Sequence, residues 1–220
     1  MATIIEIPFY IFKIIHRLLR GSGLGKFYIF RKIRDYLYNI FRPRRPLTIE
    51  VRGLRLKVRA DLLGGVAPHL LLDEDYDPFE TTLIENLLKS SHVFIDVGAN
   101  IGYYSLIAAR KVSESGKVVA FEPEPTNYEI LKENILMNKI TNIICEQQAL
   151  GEKTEQKELF IDSKNSGGHH LYNLNNGSKS VLVKTITLED YIKKNPMKVD
   201  FIKMDIQGYE PCALRGMIKV

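Results

Sequence analysis

The sequence predicts an α/β fold with a doubly wound, Rossmann-like parallel sheet, and three observations carry that prediction. Short β-branched runs alternate with segments of helical spacing from Pro78 onward. Several of those runs end in a glycine or a carboxylate, the pattern of strands that turn into helices at a ligand-binding edge. The composition is that of a globular chain: 220 residues, 45% hydrophobic and 26% charged, with 15 Gly, 9 Pro and 2 Cys. Collagen-like, low-complexity and disulfide-rich classes are thereby excluded. Cys145 and Cys212 stand far apart and outside any CxxC pattern, which argues against a thiolate metal site. They read as buried, reduced thiols of a cytoplasmic protein.

The net charge of +5 conceals two unlike parts. Residues 1–59 hold 14 Lys and Arg against 3 Asp and Glu, whereas residues 60–220 hold 17 against 23. A basic segment over 1–46 thus precedes a mildly acidic domain over 47–220, and the two are expected to meet different partners. In the basic segment Ile7, Ile11, Ile14, Ile15 and Leu18 fall at helical spacing, with Lys13, His16, Arg17 and Arg20 between them. Gly21–Gly25 interrupts, and a second amphipathic run follows at Phe27, Phe30, Ile33, Leu37, Ile40 and Phe41. Neither run approaches the roughly 20 apolar residues of a membrane span. Two readings stay open: peripheral contact with the inner face of a membrane through Ile4–Arg45, or a helical pair packed on its own domain or on a second subunit. No nucleic-acid-binding module accompanies the basic residues, so no nucleic-acid partner is expected. The oligomeric state is left open.

The remaining elements follow in order. Leu47–Val51 and Leu54–Val58 alternate around Arg52-Gly53 and predict a hairpin. Asp77-Pro78-Phe79-Glu80 starts a helix with a cap, a first-turn proline and an acid three residues on, and Phe79, Leu83, Ile84, Leu87 and Leu88 supply its apolar face. Val93–Val97 is a buried-type strand, followed by a helix through Tyr104, Ile107 and Ala108. Lys117–Phe121 is the second strand, Thr126 and Glu129 form a capping-box pattern for the next helix, and Ile143–Leu150 is the third strand. Lys157–Asp162 and Val181–Ile186 flank the polar loop Ser163–Ser180 as a hairpin-like insertion. Leu188–Lys194 is a helix, Phe201–Ile206 the fourth strand, and Glu210–Arg215 a short helix.

In such sheets ligands bind at the carboxyl ends of the strands, and three acids arrive there: Asp96, Glu122 and Asp205. Gly98 and Gly102 permit a tight turn and close approach of a ligand to the backbone. A dinucleotide would bring its pyrophosphate against Asp96, and like charges about 4 Å apart repel by roughly 4 kcal/mol at an effective dielectric of ~20. S-adenosylmethionine instead brings a sulfonium and an amino group, which an acid attracts, while Glu122 can accept from ribose hydroxyls. The loop also lacks the middle glycine of GxGxxG. The sulfonium cofactor is therefore favoured over a nicotinamide. Each residue also has a plainer reading: Asp96 and Glu122 as turn carboxylates, Asp205 and Glu80 as helix caps, Tyr76 as a packing aromatic.

The segments Asp77-Pro78-Phe79-Glu80-Thr81, Phe94-Ile95-Asp96-Val97-Gly98-Ala99-Asn100-Ile101-Gly102-Tyr103-Tyr104, Phe121-Glu122-Pro123 and Lys203-Met204-Asp205-Ile206-Gln207-Gly208-Tyr209-Glu210 together resemble the FkbM family of S-adenosylmethionine-dependent methyltransferases. The similarity covers about residues 47–217. It implies a methyltransferase sheet and methyl transfer to a hydroxyl oxygen of a sugar, glycan or secondary metabolite. It also implies cofactor contacts at Asp96, Gly98, Ala99, Asn100, Gly102 and Glu122, with Tyr76, Glu80 and Ala149 as further contacts. The family's domain carries about three more strands beyond the point matching Val220, so the sheet is expected to be C-terminally incomplete, with an unpaired edge. A catalytically impaired fold serving as a scaffold is the alternative that this expectation leaves. A hydroxyl acceptor must lose a proton, and the candidate bases are His169 and His170, in Gly167-Gly168-His169-His170, and Asp205. No metal is expected.

Overall fold

The computed structural model describes residues 7–20, 22–23, 27–172 and 179–217. Parts of the expected Ile4–Arg45 contact segment, the Gly21–Gly25 break, the Ser163–Ser180 loop and both chain ends lie outside the described residues. Two amphipathic helices come first, α1 (Ile7–Leu19) and α2 (Tyr28–Phe41), then a hairpin of β1 (Leu47–Val51) and β2 (Leu54–Val58). Arg52 and Gly53 both take positive φ, 51° and 70°, the geometry that closes a two-residue hairpin turn. Helices α3 (Val66–Leu72) and α4 (Pro78–Leu87) lead to the alternating body. There β3 (Val93–Val97), α5 (Tyr103–Val112), β4 (Lys117–Phe121), α6 (Pro125–Met137) and β5 (Ile143–Glu146) follow one another. The strands β6 (Gln148–Leu150), β7 (Glu155–Phe160) and β8 (Ser180–Ile186) precede α7 (Leu188–Lys194), β9 (Phe201–Met204) and α8 (Glu210–Arg215).

The main sheet is parallel in the order β5-β4-β3-β9, so the chain winds outward from β3 to β5 and returns to its other side with β9. The doubly wound α/β prediction is borne out. The order reverses beside β3, which leaves a crevice between the ends of β3 and β9. Phe94, Ile95, Val118, Val119, Ala120 and Phe121 are fully buried, as strands covered by helices on both faces must be.

Several local expectations need correction. The apolar run Ile143–Leu150 is two strands, since Gln148–Leu150 leaves the main sheet to pair in parallel with β8 in a separate sheet ordered β6-β8-β7. Helix α6 is capped by Glu124, whose carboxylate accepts from the Asn127 amide at 2.6 Å, and not by Thr126. In α4 the inward residues are Thr81 and Ile84, followed by Leu88, whereas Phe79 is 80% exposed. Helix α3 was not anticipated. Cys145 and Cys212 are half-buried, and burial pushes the Cys145 thiol up to about 11. In α1 the stripe Ile7, Ile11, Ile14, Ile15 and Leu18 faces outward, while Phe9 and Phe12 enter the core that contains Leu70 and Phe94.

Candidate functional site

The loop after β3 is shaped by backbone demands. Gly98, Asn100 and Gly102 all take positive φ, and the amides of Gly98 and Ala99 both donate to the Phe121 carbonyl at 3.0 Å. A Cβ at Gly98 would stand 2.2 Å from the Asp205 carbonyl oxygen, so only glycine lets the two strand ends meet. Gly102 starts α5 and lies against Leu131, where a Cβ would come within 2.5 Å of a methyl carbon. Its role here is packing beneath the loop.

Beside this loop lies a cleft of about 240 Å³. Tyr76, Gly98, Ala99, Asn100 and Asp205 line it, together with Gly65, His69, Asn165, Gly167, Lys203 and Gln207. Asp205 is exposed there and accepts from the Gln207 amide at 2.8 Å. The Tyr76 ring meets those of Tyr103 and Tyr104 at 5.8 and 6.0 Å, and His69 at 5.7 Å. Glu80 is held one step back, accepting from the Tyr104 hydroxyl at 3.2 Å.

Asp96 is not on the cleft wall. It is fully buried, accepts from the Ser105 hydroxyl at 2.6 Å, and faces the Lys203 ammonium at 3.4 Å. The β3–β9 register sets Asp96 opposite Lys203, and the ammonium also lies 5.0 Å from the centre of the Tyr104 ring. Burial by itself would pull the Lys203 pKa down, but the charges of Asp96, Asp205 and Glu80 outweigh it and raise the pKa. A cation therefore already answers Asp96, and the exposed acid of the cleft is Asp205. Lys203 was legible in principle, since it stands two positions before Asp205 in the run Phe201–Ile206 that the sequence reads as a strand, and alternate residues of a strand share a face.

Glu122 is buried at the end of β4 and braces the loop. Its two oxygens accept from the amides of Asn100 at 2.7 Å and Glu124 at 2.9 Å. Burial pushes its carboxyl up to about 7, against the pull of those two amides. A second cavity of about 40 Å³ shares Gly98 with the cleft and is lined by apolar residues that include Phe121, Ala149 and Ile206. His169 reaches this second cavity, with one ring nitrogen accepting from the Asp162 amide at 3.1 Å, and burial lowers its pKa. His170 lines neither cavity and stacks on Tyr172 with ring centres 5.2 Å apart. The insertion roofs the loop: the Ser166 carbonyl accepts from the side-chain amides of Asn100 at 2.9 Å and Asn127 at 2.8 Å.

Comparison with known proteins identifies the family. A family model described as the Methyltransferase FkbM domain matches residues 96–220, more than half the chain. A methyltransferase, sdnD, of Sordaria araneosa is 43% identical over 51 residues, which is 23% of this chain and 19% of that protein. A tRNA(Phe) (4-demethylwyosine(37)-C(7)) aminocarboxypropyltransferase of Methanocaldococcus jannaschii is 43% identical over 56 residues, 26% of this chain and 22% of that protein. The matched segments thus span about a fifth of the length of these curated relatives. Among solved structures, a methyltransferase FkbM from Methylobacillus flagellatus KT aligns with a TM-score of 0.41 and 24% identity, covering 59% of this chain and 29% of that one.

Proposed function

The chain belongs to the FkbM methyltransferase domain family, and from that premise we propose that its cleft holds S-adenosylmethionine and directs a methyl group to a hydroxyl oxygen. The observation that carries the reading is the meeting, in one crevice, of an exposed carboxylate at Asp205, an aromatic cluster around Tyr76 and the glycine-turned loop at Gly98. An acid and aromatic faces suit a cofactor with two positive centres and no phosphate. Glu122 ends the next strand and braces the loop without lining either cavity, so the ribose role that the resemblance implies also requires the loop or its roof to move. The apolar walls around Ala149 suit a purine. That second cavity is smaller than a purine, so filling it requires the roof formed by the insertion to shift.

When bound, the cofactor supplies an electrophilic methyl group. The residues supply alignment, which is the main catalytic resource in an in-line displacement at carbon. Asp205 and His69 are the side chains lining the cleft that can accept the acceptor's proton, and Asp205 is the one beside the glycine-turned loop. His169 is neutral at neutral pH and faces the second cavity, which makes it a positioning residue for that end. His170 has no place at the cleft. The acceptor class favoured is a sugar, glycan or secondary-metabolite hydroxyl, by resemblance to the family.

The match to an aminocarboxypropyltransferase favours a second reading, transfer of the aminocarboxypropyl group from the same cofactor. Products separate the two, because methyl transfer leaves S-adenosylhomocysteine and the alternative leaves methylthioadenosine. The test is incubation of the protein with the cofactor and a panel of hydroxylated acceptors, read by mass spectrometry. S-adenosylhomocysteine appearing with a methylated acceptor supports methyl transfer. Methylthioadenosine supports the second reading, and cofactor left intact by a protein that binds it leaves the scaffold alternative.

A further inference from the structure

We propose that the outer face of the α1–α2 pair docks on an anionic lipid membrane, lying along its surface. The inner side of the pair is already satisfied, since Phe9, Phe12 and Tyr38 are buried in the body's core. The outer side is nevertheless built from large apolar side chains. Ile14 is 59% exposed, Leu18 78%, Ile29 59% and Ile33 46%, and between the helices runs an apolar groove of about 550 Å³. A contiguous exposed apolar face of this kind is rare on a monomer that stays in water.

Charge selects the occupant. Residues 1–45 hold 10 Lys and Arg against 2 Asp and Glu, and Arg17, Arg31 and Lys32 are exposed among the apolar positions. An anionic headgroup layer complements that set. A second copy of the chain would instead bring two like-charged faces together. The helices have 13 and 14 residues, about 20 Å at 1.5 Å per residue, well short of the roughly 30 Å hydrocarbon core. Among the described residues no helix is long and apolar enough to cross a membrane. They lie on the surface.

One side of α2 also leads towards the cleft. A cavity of about 400 Å³ lined by Arg34, Tyr38 and Asn39 of α2 shares Gly65 and His69 with the cleft. The docking itself does not depend on the methyl-transfer reading.

Flotation of the full 220-residue chain with phosphatidylcholine vesicles, with or without about 30% phosphatidylserine, tests this. The expected result is binding to the anionic vesicles at least about tenfold above the neutral ones. Arg31→Glu with Lys32→Glu, and separately Leu18→Asp with Ile33→Asp, should each cut that binding about tenfold or more while circular dichroism and melting stay unchanged. No binding, equal binding to both vesicles, or binding indifferent to the charge reversal would overturn the proposal. So would a concentration-dependent dimer that Leu18→Asp dissolves, which would assign the face to a second copy.

Discussion

Asp96 and Lys203 form a buried ion pair across two parallel strands, with 0% and 7% of their side chains exposed. Removing one partner of such a pair strands the other charge in the interior, a loss of about 3–5 kcal/mol. Asp96→Asn and Lys203→Met are each expected to lower unfolding free energy by about that amount in denaturant titrations. The double variant Asp96→Asn with Lys203→Met should recover much of it, because no bare charge then remains. Single losses that simply add would contradict the pairing. Glu122 carries a pH dependence of definite sign. Its carboxyl keeps its proton to about pH 7, whereas the unfolded chain releases it near 4.5. The native state thus binds the extra proton between those values, so stability from this group falls as pH rises across that window and is gone above it. Cofactor affinity should move the other way, since the carboxylate accepts ribose hydroxyls better than the acid does. Affinity is expected to rise as pH increases through about 7, and Glu122→Gln should flatten the profile in calorimetry at stepped pH. An unchanged profile in the variant would remove Glu122 from the site.

Among the elements, the insertion between β6 and β8 does more than extend the sheet. Ser166 is clasped by Asn100 and Asn127, while the Lys164 carbonyl accepts from the amides of Leu63 and Gly64 at 3.0 and 2.8 Å. One lost hydrogen bond of about 1 kcal/mol corresponds to roughly fivefold more opening. Asn127→Ala should therefore speed amide exchange at Gly168 about fivefold while leaving β3 and β4 protected. Equal exchange in both proteins would show that the clasp does not hold the roof. Elements with strong punctuation were legible in the sequence: the Arg52-Gly53 turn, the Asp77-Pro78 helix start and the apolar runs Val93–Val97 and Lys117–Phe121 appear as read. Helix α3 was not, because Val66–Leu72 is apolar nearly all round and carries no helical period. The switch from β5 to β6 was hidden for a like reason, since nothing but Gln147 separates the two strands and their partners are distant in sequence. The acids and glycines of the strand ends marked the cleft. His69 comes to it from α3, and Asn165 and Gly167 from the loop between β7 and β8, whose positions only the tertiary fold determines.

For the whole molecule, a basic front precedes a mildly acidic body. The family match begins at Asp96 and covers the body that carries Asp205 and Glu122, while α1 and α2 lie outside it. The basic front was legible as amphipathic helices, but its orientation was not. Periodicity shows that a stripe exists, and packing decides that Phe9 and Phe12 turn inward while the isoleucines face out. We propose that the cleft between β3 and β9 takes a cofactor with positive centres and no phosphate. The most direct test is isothermal calorimetry of the full chain with S-adenosylmethionine, beside NADH and beside the Asp205→Asn variant. Heat of binding is expected for S-adenosylmethionine and none for NADH, with affinity about tenfold weaker in the variant at unchanged melting temperature. A folded sample that ignores S-adenosylmethionine, or that prefers NADH, would contradict the proposal.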